Sequence, residues 1–278
     1  PVPDPRDPRG VRHPWTILLA VSVAAVLAGA RSMTGILRWA AGADRAVLVA
    51  LTVPGGDPAH LPVATTLGRA LDGTDGDALD DALGAWIEQL AHDAEADPQL
   101  RGIAVDGKAA RGAKEPGGKP VHLVAAVRHD THTVAGQRQV AAKSNETKAF
   151  APLLDTLDLT DTLVTADALQ TTRANARHTV ARGGHYLLPV KFNQPTLFAQ
   201  LDQLPWEGTP VGYRTTETDR GRTETRELKV LPVPAEARFP HASQAVLVER
   251  TTLGRPGGKT LATAELFVTS APARAATP

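Results

Sequence analysis

Two short stretches constrain the fold of this chain more than any others: Ile103-Ala104-Val105-Asp106-Gly107-Lys108 and Leu163-Val164-Thr165-Ala166-Asp167-Ala168. Each is a run of β-formers that ends in one carboxylate followed at once by a small residue. Apolar runs of this length read as buried strands, and an aspartate at the end of one is costly to bury unless a partner or a metal neutralises it. If the two strands lie side by side in one sheet, Asp106 and Asp167 meet. Paired carboxylates at neighbouring strand ends are what a divalent-metal site needs for phosphodiester chemistry. The competing reading is that each aspartate only caps the turn or helix behind it.

Composition narrows the choices. At 278 residues the chain has room for two domains, or for one core and a smaller module. Its 30 basic and 30 acidic side chains balance, so any basic surface that meets a nucleic acid must be local. With no cysteine, disulfide frameworks and thiolate metal sites are excluded. The nine histidines form no HxxxH or HxH cluster in a helical context, which argues against zinc. His129 and His132 are spaced i, i+3, but Asp130 and Thr131 between them read as a turn, so both are expected at the surface. The apolar run Thr16 to Ala30 imitates a signal peptide yet is too short to span a membrane. It continues into a helical pattern through Trp39 and is expected as a buried helix, with no membrane partner. The start at Pro1 and the Ala/Pro tail look like the ends of a fragment.

Periodicity divides the chain into three. Residues 1–98 read as all-helical: the buried helix, Met33–Ala41, a helix opened at Thr65-Thr66, and a regular amphipathic helix from Asp77 to before Asp97-Pro98. Residues 99–206 read β-β-β-α-β-α-β. Its strands are Gly102–Val105, Val121–Val127, Val134–Ala141, Leu163–Thr165 and His185–Lys191, with Ala109–Pro120 expected as a loop. Its helices are Thr147–Leu157 and Arg173–Arg182, the second ended by Gly183-Gly184. That order is the order of a ribonuclease H-like mixed sheet, in which the first and fourth strands are adjacent. Residues 207–270 alternate polar and apolar through four segments, as an antiparallel meander with one wet face does. The fold class is therefore α/β, a ribonuclease H-like mixed sheet with an N-terminal helical domain and a C-terminal antiparallel β insertion.

The segment from Ile103 to Trp206 resembles the catalytic core of the DDE transposases of bacterial insertion sequences, in particular the H-repeat-associated group. The resemblance is carried by Ile103–Lys108, Val121–Val124, Lys143-Ser144-Asn145-Glu146, Val164–Ala168 and Gly183-Gly184-His185-Tyr186. Lys191 with Asn193-Gln194 and Gly221–Arg226 complete it, and Asp7–Gly10, Val26–Ser32 and Thr65-Thr66 resemble that family's helical N-terminal domain. The resemblance implies a core that binds two magnesium (or manganese) ions, cuts double-stranded DNA at element ends and joins the 3′ hydroxyl to target DNA. It implies a cytoplasmic protein acting on nucleoid DNA, and it admits a homodimer. Asp106 and Asp167 match the first two acids of the catalytic triad, and so are the expected catalytic and metal-holding residues. Lys143 and Asn145, at the head of a helix, suit a phosphate. Lys108, Arg111, Lys114, Lys191 and Asn193 are the other expected contacts to the DNA backbone.

The chain also departs from the family. The third acid of the family lies in a later helix with a tryptophan and an Ile-Glu-Asn motif, and no tryptophan follows Trp206 here. Asp219-Arg220-Gly221-Arg222 stands where the family has His-Gly-Arg. Glu224 is a candidate third acid by chemistry alone. The expectation is therefore a truncated transposase. Its rivals are a non-catalytic DNA-binding remnant and a repurposed ribonuclease H-like nuclease that uses Glu224.

Overall fold

The computed structural model describes residues 2–9, 11–92, 100–114, 118–140, 146–219, 221–254 and 260–273. The chain divides into two compact units, Pro1–Ala82 and Leu83–Pro278.

The first unit is helical: α1 (Trp15–Leu27), α2 (Met33–Gly42), α3 (Arg45–Ala50) and α4 (Ala64–Asp72), with two single 3-10 turns at 54–56 and 58–60. A fifth helix, α5 (Gly76–His92), contains the division between the units. The apolar run that imitates a signal peptide is α1, and it buries Trp15, Ile17, Leu18, Val21 and Ala25 against Ile36, Ala40, Leu48, Leu67 and Ala70. Among the described residues no helix is long and apolar enough to cross a membrane. Thr65-Thr66 does not cap α4. The helix starts one residue earlier, behind Val63, with no side-chain cap. Ser32 and Asp44 do cap theirs, accepting N–H bonds from Gly35 and Ala46.

The second unit is built on one nine-stranded sheet, in the order β3-β2-β1-β4-β5-β9-β8-β7-β6. Its first half is the expected β-β-β-α-β-α-β run: β1 (Arg101–Lys114), β2 (Pro120–Arg128), β3 (Val134–Gln139), α6 (Glu146–Leu154), β4 (Thr162–Ala166), α7 (Arg173–Ala181) and β5 (His185–Val190). Parallel crossovers place β1 beside β4 and β4 beside β5. The helix α7 ends at glycine as expected: Gly183 takes φ +85°, and Gly184 N–H bonds back to Thr179. Helix α6 lays Phe150, Leu153 and Leu154 on Ile103, Val105, Val124, Ala126 and Val164 of the sheet.

One feature differs from the sequence reading. The loop expected over Ala109–Pro120 is strand in its first part: β1 continues to Lys114 and pairs with β2 through an irregularity between Ala110 and Lys114. The Gly- and Lys-rich composition reads as a loop, but a strand with two wet faces needs no apolar alternation. The C-terminal segment is the expected antiparallel meander: β6 (Tyr213–Asp219), β7 (Arg222–Pro232), β8 (Gln244–Leu253) and β9 (Thr260–Thr269). It extends the same sheet, because β9 pairs antiparallel with β5 from Leu187↔Thr269 to Val190↔Leu266. A second core, with Tyr186, Leu188, Val190, Leu201, Trp206, Phe239, Leu247 and Val268, joins the two halves. The helix α8 (Pro195–Asp202) contributes Leu197 and Leu201 to it.

Candidate active site

The pairing of β1 with β4 sets the geometry of the two acids. The parallel register runs from Arg101↔Thr162 to Val105↔Ala166. The next positions along this register are Asp106, in the middle of β1 where it pairs with Ala125 of β2, and Asp167, just past the end of β4. Side chains that face each other in a parallel pair share a side of the sheet, and adjacent strands lie about 4.8 Å apart. Ile103 and Val105 face the core, so the alternation turns Asp106 to the opposite, wet face. Crevices outside the carboxyl ends of parallel strands are where open α/β sheets bind ligands.

Each carboxylate also has a local partner. Lys108 Nζ lies 3.4 Å from Asp106 Oδ2, with both side chains more than half exposed. Asp167 Oδ1 accepts the N–H of Ala168 and so caps the 3-10 turn Ala168–Gln170 behind it. The capping reading is thus true of Asp167 as a hydrogen bond.

That turn is unusually well tied. Asn193 Nδ2 donates to Ala168 O at 2.7 Å, and Gln194 Nε2 to Thr171 O at 2.8 Å. Thr171 Oγ1 donates to Pro189 O at 2.7 Å, and Asn175 Nδ2 reaches both the carbonyl and the side-chain oxygen of Gln170 at 3.0 Å. Gln170, Thr171 and Asn175 are buried. Sequence reading missed this network; the signal was the polar cluster Gln170-Thr171-Thr172 directly after a strand-ending aspartate.

The other expected site residues fall in different places. Asn193, expected on DNA, is exposed and donates its amide to the carbonyl of Ala168 in the Asp167 turn. Lys191 stands just past β5 and pairs with Glu265 of β9 at 3.2 Å. Lys108 and Lys114 are exposed along β1, and Arg111 lies on the same strand. Lys143 and Asn145 lie outside the described residues. Glu224 is on β7, ion-paired with Arg226 and Arg250. Four strand spacings separate β7 from β4, about 19 Å, so this structure does not bring Glu224 to the aspartates. Two arginines hold it instead. Among the described residues no third His, Asp or Glu joins the pair. His129 and His132 are exposed in the turn after β2, as expected.

The donor set is carboxylate oxygen, which suits a hard divalent cation such as magnesium or manganese. Two carboxylates alone hold such an ion weakly.

Comparison with known proteins gives the family of the chain. The transposase DDE domain matches residues 97–250, and the domain associated with it matches residues 1–87. The chain belongs to the DDE transposase family. YncI of Escherichia coli K12, a transposase candidate by name, is 32% identical over 81% of this chain and 90% of its own length. A similar YncI of Escherichia coli O157:H7 is 32% identical over 81% of this chain but only 57% of its own, so the chain spans little more than half of that relative. The H repeat-associated protein YbfD of Escherichia coli K12 is 28% identical over 84% of this chain. Among solved structures, a piggyBac transposase synaptic complex with hairpin DNA covers 91% of this chain at 12% identity and TM-score 0.36. Membership of the DDE family rests on the sequence matches.

Proposed function

We propose that this chain carries the strand-cleaving core of an insertion-sequence transposase, with Asp106 and Asp167 as its metal-holding acids. The observation that supports the reading is the β1–β4 register within a family-matched domain, which runs to Val105↔Ala166, directly before Asp106 and Asp167. A divalent cation bound there would activate a water or 3′-hydroxyl nucleophile and stabilise the leaving oxygen. Within the protein, Lys108 answers the charge of Asp106, and Asn193 and Gln194 keep the Asp167 turn in place. The substrate in this reading is double-stranded DNA at element ends and at the target, met in the cytoplasm and gripped by Lys108, Arg111 and Lys114.

A second reading is a DNA-binding remnant without strand-cleaving activity. It is favoured by the remoteness of Glu224, since the second of two ions ordinarily needs a third acid. A strand-cleavage assay in magnesium or manganese, on DNA carrying the element's ends, decides between them. Cleavage by the parent that is lost in Asp106→Asn and in Asp167→Asn supports the transposase. Cleavage that survives both substitutions refutes it, and DNA binding with no cleavage supports the remnant.

A further inference from the structure

The helical unit holds an open groove of about 790 Å³, lined among others by Arg6, Arg9, Arg12, His13 and Arg69. Its charge is out of proportion to its surroundings. Residues 1–82 carry seven arginines and no lysine against nine aspartates and no glutamate, so the unit as a whole is acidic. Yet four of the seven arginines line this one groove, and Asp7 is the only carboxylate among its lining residues. A balanced or acidic protein that binds a polyanion must concentrate its cations locally, and that concentration is what this groove shows.

The arginines are not equivalent. Arg6 is held in a two-pronged pair by Asp4, Nε to Oδ1 at 2.8 Å and a terminal nitrogen to Oδ2 at 2.7 Å, and its guanidinium lies 5.7 Å above the Trp15 ring. Its charge is answered and it serves as a wall. Trp15 in turn donates to Val2 O, which ties the N-terminal segment to α1. Asp7 accepts the backbone N–H of Arg9 and turns the chain there. Arg9, Arg12 and Arg69 are exposed, and among the described residues no carboxylate pairs with them. Exposed, unpaired guanidinium forks in an open groove match phosphate oxygens bidentately. They would track a solvated backbone rather than enclose a small ligand.

We propose that this groove is a second nucleic-acid contact, separate from the aspartate site, in which Arg9, Arg12 and Arg69 bind the phosphates of duplex DNA without reading its sequence. The choice of DNA as the polyanion rests on the transposase reading above. The groove's charge does not.

The test is fluorescence anisotropy of the full chain with a labelled duplex of arbitrary sequence, over a range of salt. Neutralising three phosphate contacts should flatten the slope of log affinity against log salt by about 3 units. The Arg9→Gln/Arg12→Gln/Arg69→Gln variant should therefore bind at least tenfold more weakly at low salt, while the corresponding lysine variant keeps most of the affinity. Asp4→Asn, which leaves every groove arginine in place, should free Arg6, tighten binding severalfold and steepen the slope by about 1 unit. This variant keeps the proposal falsifiable if the triple glutamine variant misfolds. Binding within twofold of the parent in the triple variant, no gain in Asp4→Asn, or no duplex binding by the parent would each overturn it. Competition by free nucleotide at concentrations where duplex is not displaced would assign the groove to a small phosphate ligand instead. Groove-dependent binding with no cleavage would leave this inference standing and sink only the catalytic reading.

Discussion

Replacing Asn193 by alanine separates two roles that the sequence alone leaves confounded, a DNA contact and a brace for the Asp167 turn. The side chain donates a 2.7 Å bond to the carbonyl of Ala168, a residue only 9% exposed. A neutral hydrogen bond contributes about 0.5–1.5 kcal/mol net, and a buried acceptor left without its donor costs about 1–3 kcal/mol. Water reaches part of this site, so the loss should be about 1–2 kcal/mol. With a urea slope of about 2–3 kcal/mol/M for a unit of this size, the midpoint should fall by roughly half a molar. Each 1.4 kcal/mol that favours a displaced turn lowers the ratio of placed to displaced Asp167 about tenfold, and the two forms of the turn are close in energy once the brace is gone. Strand cleavage should therefore drop roughly five- to tenfold, while duplex affinity stays within twofold. Adding Gln194→Ala, which removes a bond to the same turn, should be non-additive by about 0.5–1 kcal/mol. The opposite pattern, a tenfold loss of DNA affinity with an unchanged urea midpoint, would show that Asn193 faces DNA and that the brace is wrong.

Other expected outcomes follow from single contacts. Phe150→Ala on α6, a side chain 1% exposed against the sheet, should cost about 3–5 kcal/mol, read as a large drop in the urea midpoint. Gly56→Ala should destabilise the helical unit by about 1–3 kcal/mol, because Gly56 has φ +63° and an added Cβ would lie 2.7 Å from the Arg45 carbonyl oxygen; a thermal melt equal to the parent's would contradict this. The Arg6 guanidinium holds the Asp4 carboxyl below its ordinary value of 3.8. A depressed folded-state value means the pair is intact above the unfolded value and is lost only as pH falls through the folded one. Carbon-detected NMR should find Asp4 titrating below 3.8, and a midpoint at or above that value would show that Arg6 is free. Tyr186, whose phenol is pushed well up by burial and donates to Pro240 O at 2.5 Å, should show no phenolate absorbance in the folded protein at pH 10.

Much of this molecule is local information, and local information is legible. The end of β4 just before Asp167, the β-β-β-α-β-α-β order, the glycine stop after α7 and the helical character of the first unit all come from periodicity, propensity and turn chemistry within a few residues. The adjacency of β1 and β4 followed from topology, since a fourth strand that crosses over in parallel has few places to go. The tertiary structure alone decided what depends on residues distant in sequence. Asn193 braces Ala168 from 25 residues away, and Glu224 finds Arg250 two strands' length along the chain. The meander joins the core sheet through β9 and β5, a pairing between segments nearly 80 residues apart. Four arginines collect in one groove only after Arg69 on α4 meets the N-terminal segment. A side chain's type says which partners it accepts. Which partner it receives is set by chain closure over long loops and by the competition of the whole core for burial, and neither is written in any short window of sequence.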